Sequence, residues 1–415
     1  MKILLRSFAA SLAALLFLSA CSGSGELLFN AATVTVQKVA GDAQTGLATY
    51  PVNIPPAVKV SDASGHPVAG VQVVFNVTSG GGSITGGVAT TGSDGIAAVG
   101  SWTVPLGSNT LSATVPRSSG PVSFSATGVL SGYNIDVRFL SSVTVAQKEA
   151  FDSATAHWQR LIFGDVTDIP FTSPAGACLG NEPAMNETID DIVIFATLDS
   201  IDGPGGILGM AGPCYIRLSN NQPLLGVMRF DTADVGPLIT AGKFDEVVLH
   251  EMGHVLGFGT VWSPSFDNLL VGGGGSDPHF IGIQATSAFN RSGGTSYTAG
   301  QKVPVENCLP PTTCPGGGAG TRDSHWRKTV FGPELMTGFL SSGVTPLSVV
   351  TVAAMGDEGY QVNYAGADSY ALSLAAAMLR AQGATTEIHM SDDILRLPIR
   401  VVNERGRVMR VVRQK

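Results

Sequence analysis

The segment Phe244-Asp245-Glu246-Val247-Val248-Leu249-His250-Glu251-Met252-Gly253-His254-Val255-Leu256-Gly257-Phe258 places two histidines four residues apart, with a glutamate directly after the first. On an α-helix that spacing puts His250 and His254 on one face, one turn apart, so two imidazoles can bind one zinc ion. Glu251 lies beside that face, where its carboxylate can take a proton from zinc-bound water instead of binding the metal. Val248, Met252 and Val255 point elsewhere and provide the face that the helix buries. Such a pattern arises by chance in on the order of one in a few hundred chains, so a solvated helix accounts for it poorly. Gly257 can end the helix in a left-handed conformation and turn the chain, which lets a distant residue supply a third ligand. Three candidates exist: His279, after Asp277-Pro278 in a Gly-rich stretch; Glu306, in the loop-like Val303-Pro304-Val305-Glu306-Asn307-Cys308; and His325, in Gly320-Thr321-Arg322-Asp323-Ser324-His325-Trp326-Arg327. Glu306 would make a site of two histidines and one carboxylate. His157 has no metal-spaced neighbour and reads as a packing or surface histidine of an earlier helix.

From about Tyr133 to Tyr370 the chain resembles a leishmanolysin-type metzincin, in which an insertion separates the helical His pair from a third His and a Met-containing turn lies beneath the metal. The resemblance rests on the His250 to His254 helix together with Asp277-Pro278-His279-Phe280, Ala288-Phe289-Asn290, Val303-Pro304-Val305-Glu306-Asn307, His325-Trp326 and Glu334-Leu335-Met336-Thr337-Gly338. It implies that His250, His254 and His325 hold one catalytic Zn2+, that Glu251 is the general base, and that Met336 is the Met-turn residue. Position 338 is Gly, so the Tyr ligand of the astacin and serralysin branches is absent, and no cysteine-switch prosegment is recognisable.

Positioning these residues requires a sheet and packed helices. Tyr133 to Phe139 alternates as a strand. Thr144 and Gln147 form a capping box ahead of a helix to about Leu161, which would pack Ala150, Phe151, Ala154, Trp158 and Leu161 on a sheet. Asp191 to Phe195 and Gly226 to Phe230 read as strands, the edge one available to pair with an extended substrate. A further helix is expected within Thr345 to Gly359, through Leu347, Val350, Ala354 and Met355. Residues 381–415 form a basic tail, expected to be a strand pair, Ile394 to Val402 and Val408 to Val412, with solvated arginines.

The front of the chain, 33–129, has a different texture. Val71, Val73, Phe75 and Val77 keep period 2, as do Leu111, Ala113 and Val115, and Asp62 to Pro67 and Ser93-Asp94-Gly95 read as turns. This predicts a β-sandwich of immunoglobulin-like size. The run Val58 to Val68, with Val73 to Phe75, Gly80 to Gly82, Thr90-Thr91 and Asp94-Gly95, resembles the bacterial Ig-like domains of intimin and invasin, which implies a spacer or adhesive module. His66 reads as a solvated turn residue. The fold class expected overall is multidomain: an all-β Ig-like sandwich, then an α+β two-lobed catalytic domain over 133–380.

The chain of 415 residues carries 24 basic and 32 acidic side chains, a net charge of −8, which argues against a nucleic-acid partner. Charged residues are only 13% and Gly numbers 52, a composition unlike coiled coil or charge-rich disorder. Lys2, Arg6 and the apolar run Phe8 to Leu18 read as a secretory signal over 1–20. Leu18-Ser19-Ala20-Cys21 resembles the lipobox of bacterial lipoproteins, which implies acylation of Cys21, a linker over 21–32 and a membrane lipoprotein. Ser22 is not the Asp of inner-membrane retention, so outer-membrane placement facing periplasm or cell surface is expected. The remaining cysteines allow three pairings. Least loop closure favours Cys178 with Cys214 and Cys308 with Cys314. The functional expectation is a membrane-anchored zinc metalloendopeptidase acting on protein or peptide substrates, its rival an adhesin with a non-cleaving protease-like domain. The sequence assigns neither a structural Ca2+ nor an oligomeric state.

Overall fold

The computed structural model describes residues 34–307, 321–372, 388–390 and 392–414. The signal segment with Cys21, and the cysteines Cys308 and Cys314, lie outside the described residues. Among the described residues no helix is long and apolar enough to cross a membrane.

Alternation in the front module becomes two facing sheets. One holds Thr35–Ala40, Ala57–Ser61 and Ile96–Ala98; the other holds Gln44–Leu47, Val122–Val129, Gly107–Thr114, Gln72–Ser79 and Val88–Thr90. Val73, Phe75, Leu111, Ala113 and Val115 bury between them with Val58, Val60, Trp102 and Phe124. The Asp62 carboxylate accepts the amides of Ser64 (2.8 Å) and His66 (3.0 Å), closing the predicted turn and leaving His66 exposed. This is an Ig-like β-sandwich.

The second unit is built on a six-stranded mixed sheet. Its strands are β1 (Ile135–Phe139), β2 (Ile192–Asp199), β3 (Gly209–Arg217), β4 (Pro223–Asp231), β5 (Ile399–Val402) and β6 (Val408–Val412), in the order β1-β2-β4-β3-β5-β6. β1, β2 and β4 run parallel, β3 is antiparallel to β4, and β5 runs parallel to β3. Neither stretch expected to supply an edge does so: β2 and β4 are both interior strands. The outer side of β3 is taken instead by the C-terminal segment, so the basic tail belongs to this sheet. Continuous pairing there begins at Ile399, after an isolated bridge of Ile394 to Ala211; Arg405, Arg407, Arg410 and Arg413 are exposed as expected, with Arg410 over the Phe266 ring and the half-buried Arg400 over the Tyr215 ring.

Helices cover the sheet. α1 (Val145–Leu161) starts at the Thr144/Gln147 capping box and buries the five residues expected of it. α2 (Thr232–Thr240) is capped by Asp231, whose side chain accepts the Ala233 amide. α3 (Phe244–Leu256) lies on β3 and β4 and against α1, and is buried over nearly its whole length. Gly226 in β4 permits the approach: a Cβ there would stand 2.2 Å from Val255. α4 (Ile283–Phe289) packs on α5 (Val349–Asp357), which lies within the stretch expected to be helical. The Cys178–Cys214 disulfide ties the loop after the small hairpin strand Ile169–Ser173 to β3.

Candidate metal centre

α3 carries His250 and His254 on one face, and both are fully buried. The helix stops at Gly257, whose φ of 125° suits glycine, and a Cβ there would stand 2.5 Å from a Glu358 oxygen. Two residues on, Gly259 (φ 75°) lets Ser324 approach: an added Cβ would lie 2.1 Å from its carbonyl. The reversal therefore brings His325 to the His pair. Beneath α3, Gly253 leaves room for Met336, whose methyl would be 2.9 Å from an added Cβ. Met336 is fully buried against α3.

The three imidazole Nε2 atoms converge at 3.1 Å (His250 to His325), 3.0 Å (His250 to His254) and 2.9 Å (His254 to His325). Each Nδ1 faces a backbone carbonyl: Leu335 for His250 (2.7 Å), Phe258 for His254 (2.8 Å) and Thr321 for His325 (3.0 Å). A carbonyl only accepts, so each Nδ1 carries the hydrogen and each Nε2 presents a bare lone pair. Burial, with the neighbouring imidazoles adding to it, depresses the pKa of His254 well below the usual range; burial also lowers that of His250. Three lone pairs aimed at one point repel unless a cation lies between them. A tetrahedral zinc with bonds of about 2.0–2.1 Å holds its ligand atoms roughly 3.3 Å apart, close to the spacing here. The residues fit the metal.

Glu251 is fully buried beside this point, and neither of its carboxylate oxygens has a hydrogen-bond partner. Burial first, then the charge of Asp393, pushes its pKa well above the usual carboxylate range. A carboxyl group left unpartnered in the interior is costly to bury, which marks it as a candidate for chemistry.

The other candidates for third ligand are engaged elsewhere. Glu306 accepts the amides of Asn307 (2.9 Å) and Lys328 (3.0 Å), and its own amide donates to the His325 carbonyl (2.8 Å), so it holds the His325 segment rather than the metal. His279 is half-buried and turns its Nδ1 to the Asp277 carbonyl. His157 lies 3.8 Å from Asp368.

Two residues escaped the sequence reading. Asp393 is fully buried, with one carboxylate oxygen 3.0 Å from His325 Nε2 and 3.4 Å from His250 Nε2, and it completes a four-residue cluster with the three histidines. Glu334 accepts the Met336 amide (2.6 Å), the Ser348 amide (3.1 Å) and the Ser348 hydroxyl (2.8 Å), pinning the Leu335-Met336 turn to the start of α5. That turn supplies the carbonyl that orients His250.

No family model matches the chain. No curated protein matches it. Among solved structures it is similar to the D00-D0 domain of Intimin, at 21% identity over 25% of this chain and 51% of that one, with a TM-score of 0.21. The D0-D1 domain of Intimin gives 22% identity over 24% and 50%, with a TM-score of 0.21. A C-terminal 282-residue fragment of intimin, in complex with the intimin-binding domain of the translocated intimin receptor, gives 25% identity over 23% and 33%, with a TM-score of 0.20. The chain spans about half the length of the first two fragments. Overlaps this small do not define a fold; the two facing sheets of the front module do.

Proposed function

We propose that this chain is a zinc metalloendopeptidase of leishmanolysin-like type that cleaves peptide bonds of extracytoplasmic proteins. It would be held by lipid at Cys21 on a bacterial membrane, the outer one, with the sandwich as its spacer. The observation that carries the reading is the convergence of three bare Nε2 lone pairs, each fixed by an Nδ1–H bound to a carbonyl. His250, His254 and His325 would hold the ion, which supplies a Lewis acid to polarise the scissile carbonyl. Glu251 takes the proton of the attacking water and passes it to the leaving amine. Its burial keeps bulk water from competing for that proton. Met336 and the Glu334 clamp keep the His250 ring aimed.

A second reading, a surface binding protein with a non-cleaving protease-like domain, is favoured by Asp393, since a fourth protein ligand leaves no side of the metal open. Hydrolysis of casein by the full chain separates the two. The peptidase reading expects cleavage that a chelator stops and that one equivalent of zinc restores. Bound zinc without any cleavage, in the full chain and in its Asp393→Ala variant alike, would favour the binding protein.

A further inference from the structure

The C-terminal segment meets the site at two places. Asp393 lies in the ligand cluster, and among the described residues neither of its oxygens has a hydrogen-bond donor. An anionic carboxylate facing bare nitrogen lone pairs is repelled by them unless a cation joins the four groups. On either side of it the backbone is fastened to β3: the Ala211 amide donates to the Asp393 carbonyl (2.8 Å), and the Leu395 amide donates to the Ala211 carbonyl (2.8 Å). Gly212 lets the segment come this close, for a Cβ there would stand 2.9 Å from the Leu395 carbonyl. From Ile399 the same chain continues along β3 as β5, with Tyr215, Ile216 and Arg217 opposite Arg400, Val401 and Val402. The side of β3 nearest the metal, the place where an extended peptide could add itself to the sheet, is thus occupied by the protein's own chain.

The two parts of this segment differ in how firmly they are held. Ile399, Val401 and Val402 are fully buried strand residues, whereas Asp392, Arg396 and Pro398 are exposed and Leu395 and Leu397 half-buried. The stretch from Asp393 to Leu397 is held by the buried Ile394 and by the two backbone bonds at Ala211, and it is this short attachment, not β5, that has to release for Asp393 to lift.

Building on the peptidase reading, the geometry points to Asp393 as a fourth, displaceable ligand of the metal, carried on a segment that occupies the substrate's place and keeps the resting protein closed. Replacement of the Asp393 carboxylate by the scissile carbonyl and a water opens the site, and no covalent bond is made or broken in the exchange.

The test uses the full chain loaded with Co2+ and titrated with acetohydroxamate, a small chelating probe of the open position. Its readout is the visible spectrum of the cobalt, independent of peptide cleavage. The intact protein should show a four-coordinate spectrum that the probe perturbs only weakly. Asp393→Ala, and the near-isosteric Asp393→Asn as a check on folding, should keep the metal, show an altered spectrum and bind the probe at least tenfold more tightly. Casein turnover should rise at least tenfold in both. Equal probe binding by the intact chain and both variants overturns the inference and leaves the peptidase reading standing. Tighter probe binding without casein cleavage supports the ligand and contradicts the peptidase. A chain that takes up no cobalt overturns both.

Discussion

The front sandwich and the unit behind it bury side chains of different kinds. Among the described residues the sandwich buries Thr91 and Asn109 as its polar side chains: the Thr91 hydroxyl donates to the Val68 carbonyl (2.7 Å) and the Asn109 amide to the Pro105 carbonyl (2.9 Å), while the Asn109 side-chain oxygen and the Trp102 indole N–H have no partner. The unit behind buries His250, His254, His325, Glu251, Glu334, Glu358, Arg217 and Asp393. Desolvating an ionisable group costs several kcal/mol unless partners compensate. Most of these have them. Arg217 donates to the carbonyls of Pro223, Asp190 and Asp191, Glu358 accepts the Trp262 indole, and Glu334 holds the Met336 turn. Glu251 and Asp393 are left over with both oxygens unpartnered, Asp393 in one cluster with the three imidazoles and Glu251 next to His250 on α3. Among the described residues the sandwich leaves only neutral side-chain atoms unpartnered, whereas the second unit leaves two whole carboxylates so, one of them in a cluster with the three imidazoles, as a site for a cation and a reaction requires.

The sharpest way to break that contrast is to remove members of the point itself. His325→Ala should weaken zinc binding more than tenfold and abolish turnover, read by metal analysis and peptide cleavage. His279→Ala and Glu306→Ala should each leave one zinc bound. Glu251→Ala should keep its zinc yet lose about 10²–10⁴ in turnover, because it moves a proton and holds no metal. Retention of zinc by His325→Ala together with its loss in His279→Ala would contradict the assignment.

A smaller effect is expected one layer away. Glu334→Ala removes the acceptor that shapes the Leu335-Met336 turn and should lower zinc affinity by roughly 10–100-fold. It should also cost about 3 kcal/mol of stability in urea unfolding, since buried donors lose a charged partner. Zinc affinity equal to that of the unaltered protein would mean that the turn does not orient His250.

Next comes acid sensitivity. The amides of Ala233 and Gly203 lead the donors that hold the Asp231 carboxylate down to about 2, against the opposing effect of burial; those of Asp202 and Ile201 add to the pull. This lies below the value of about 3.9 for an unfolded Asp. The stabilisation is thus fully present above about pH 4 and is lost as pH falls through about 2. Asp231→Asn should lower Tm by a constant amount from neutral pH down to about pH 4.5, with the gap closing at lower pH. A gap that does not change with pH would mean that the charge contributes nothing.

The smallest effect concerns the junction of the two regions, where the Asn53 side chain donates to the Val362 carbonyl (2.7 Å) and accepts the Tyr364 amide (3.1 Å). Asn53→Ala should cost about 1 kcal/mol and leave zinc affinity and turnover unchanged. A fall in turnover would show that the sandwich shapes the site as well as carrying it.

Local pattern made part of this legible. The capping box of α1, the period-2 runs of the sandwich and the His250/His254 spacing are all contained within a few residues, and each appears where its periodicity placed it. What stayed hidden was non-local. Nothing in Ser391-Asp392-Asp393-Ile394 separates an exposed Asp392 from a fully buried Asp393, because the difference is made by β3 lying alongside. The occupied side of β3 was hidden for the same reason: sheet order follows from which strands meet across long separations, not from their own alternation. One signal was available. Gly253 in a helix interior costs about 1 kcal/mol relative to Ala, which points to a close neighbour, and Met336 is that neighbour.

The central claim is that three neutral imidazoles hold a zinc ion which Glu251 uses to cut peptides. It is tested most directly by measuring casein hydrolysis with the Asp393→Ala chain, first stripped of metal and then titrated with zinc. The account predicts no cleavage by the stripped chain and full recovery that levels off at one zinc per chain. Cleavage that survives stripping, or a fully loaded chain that does not cut, would contradict it.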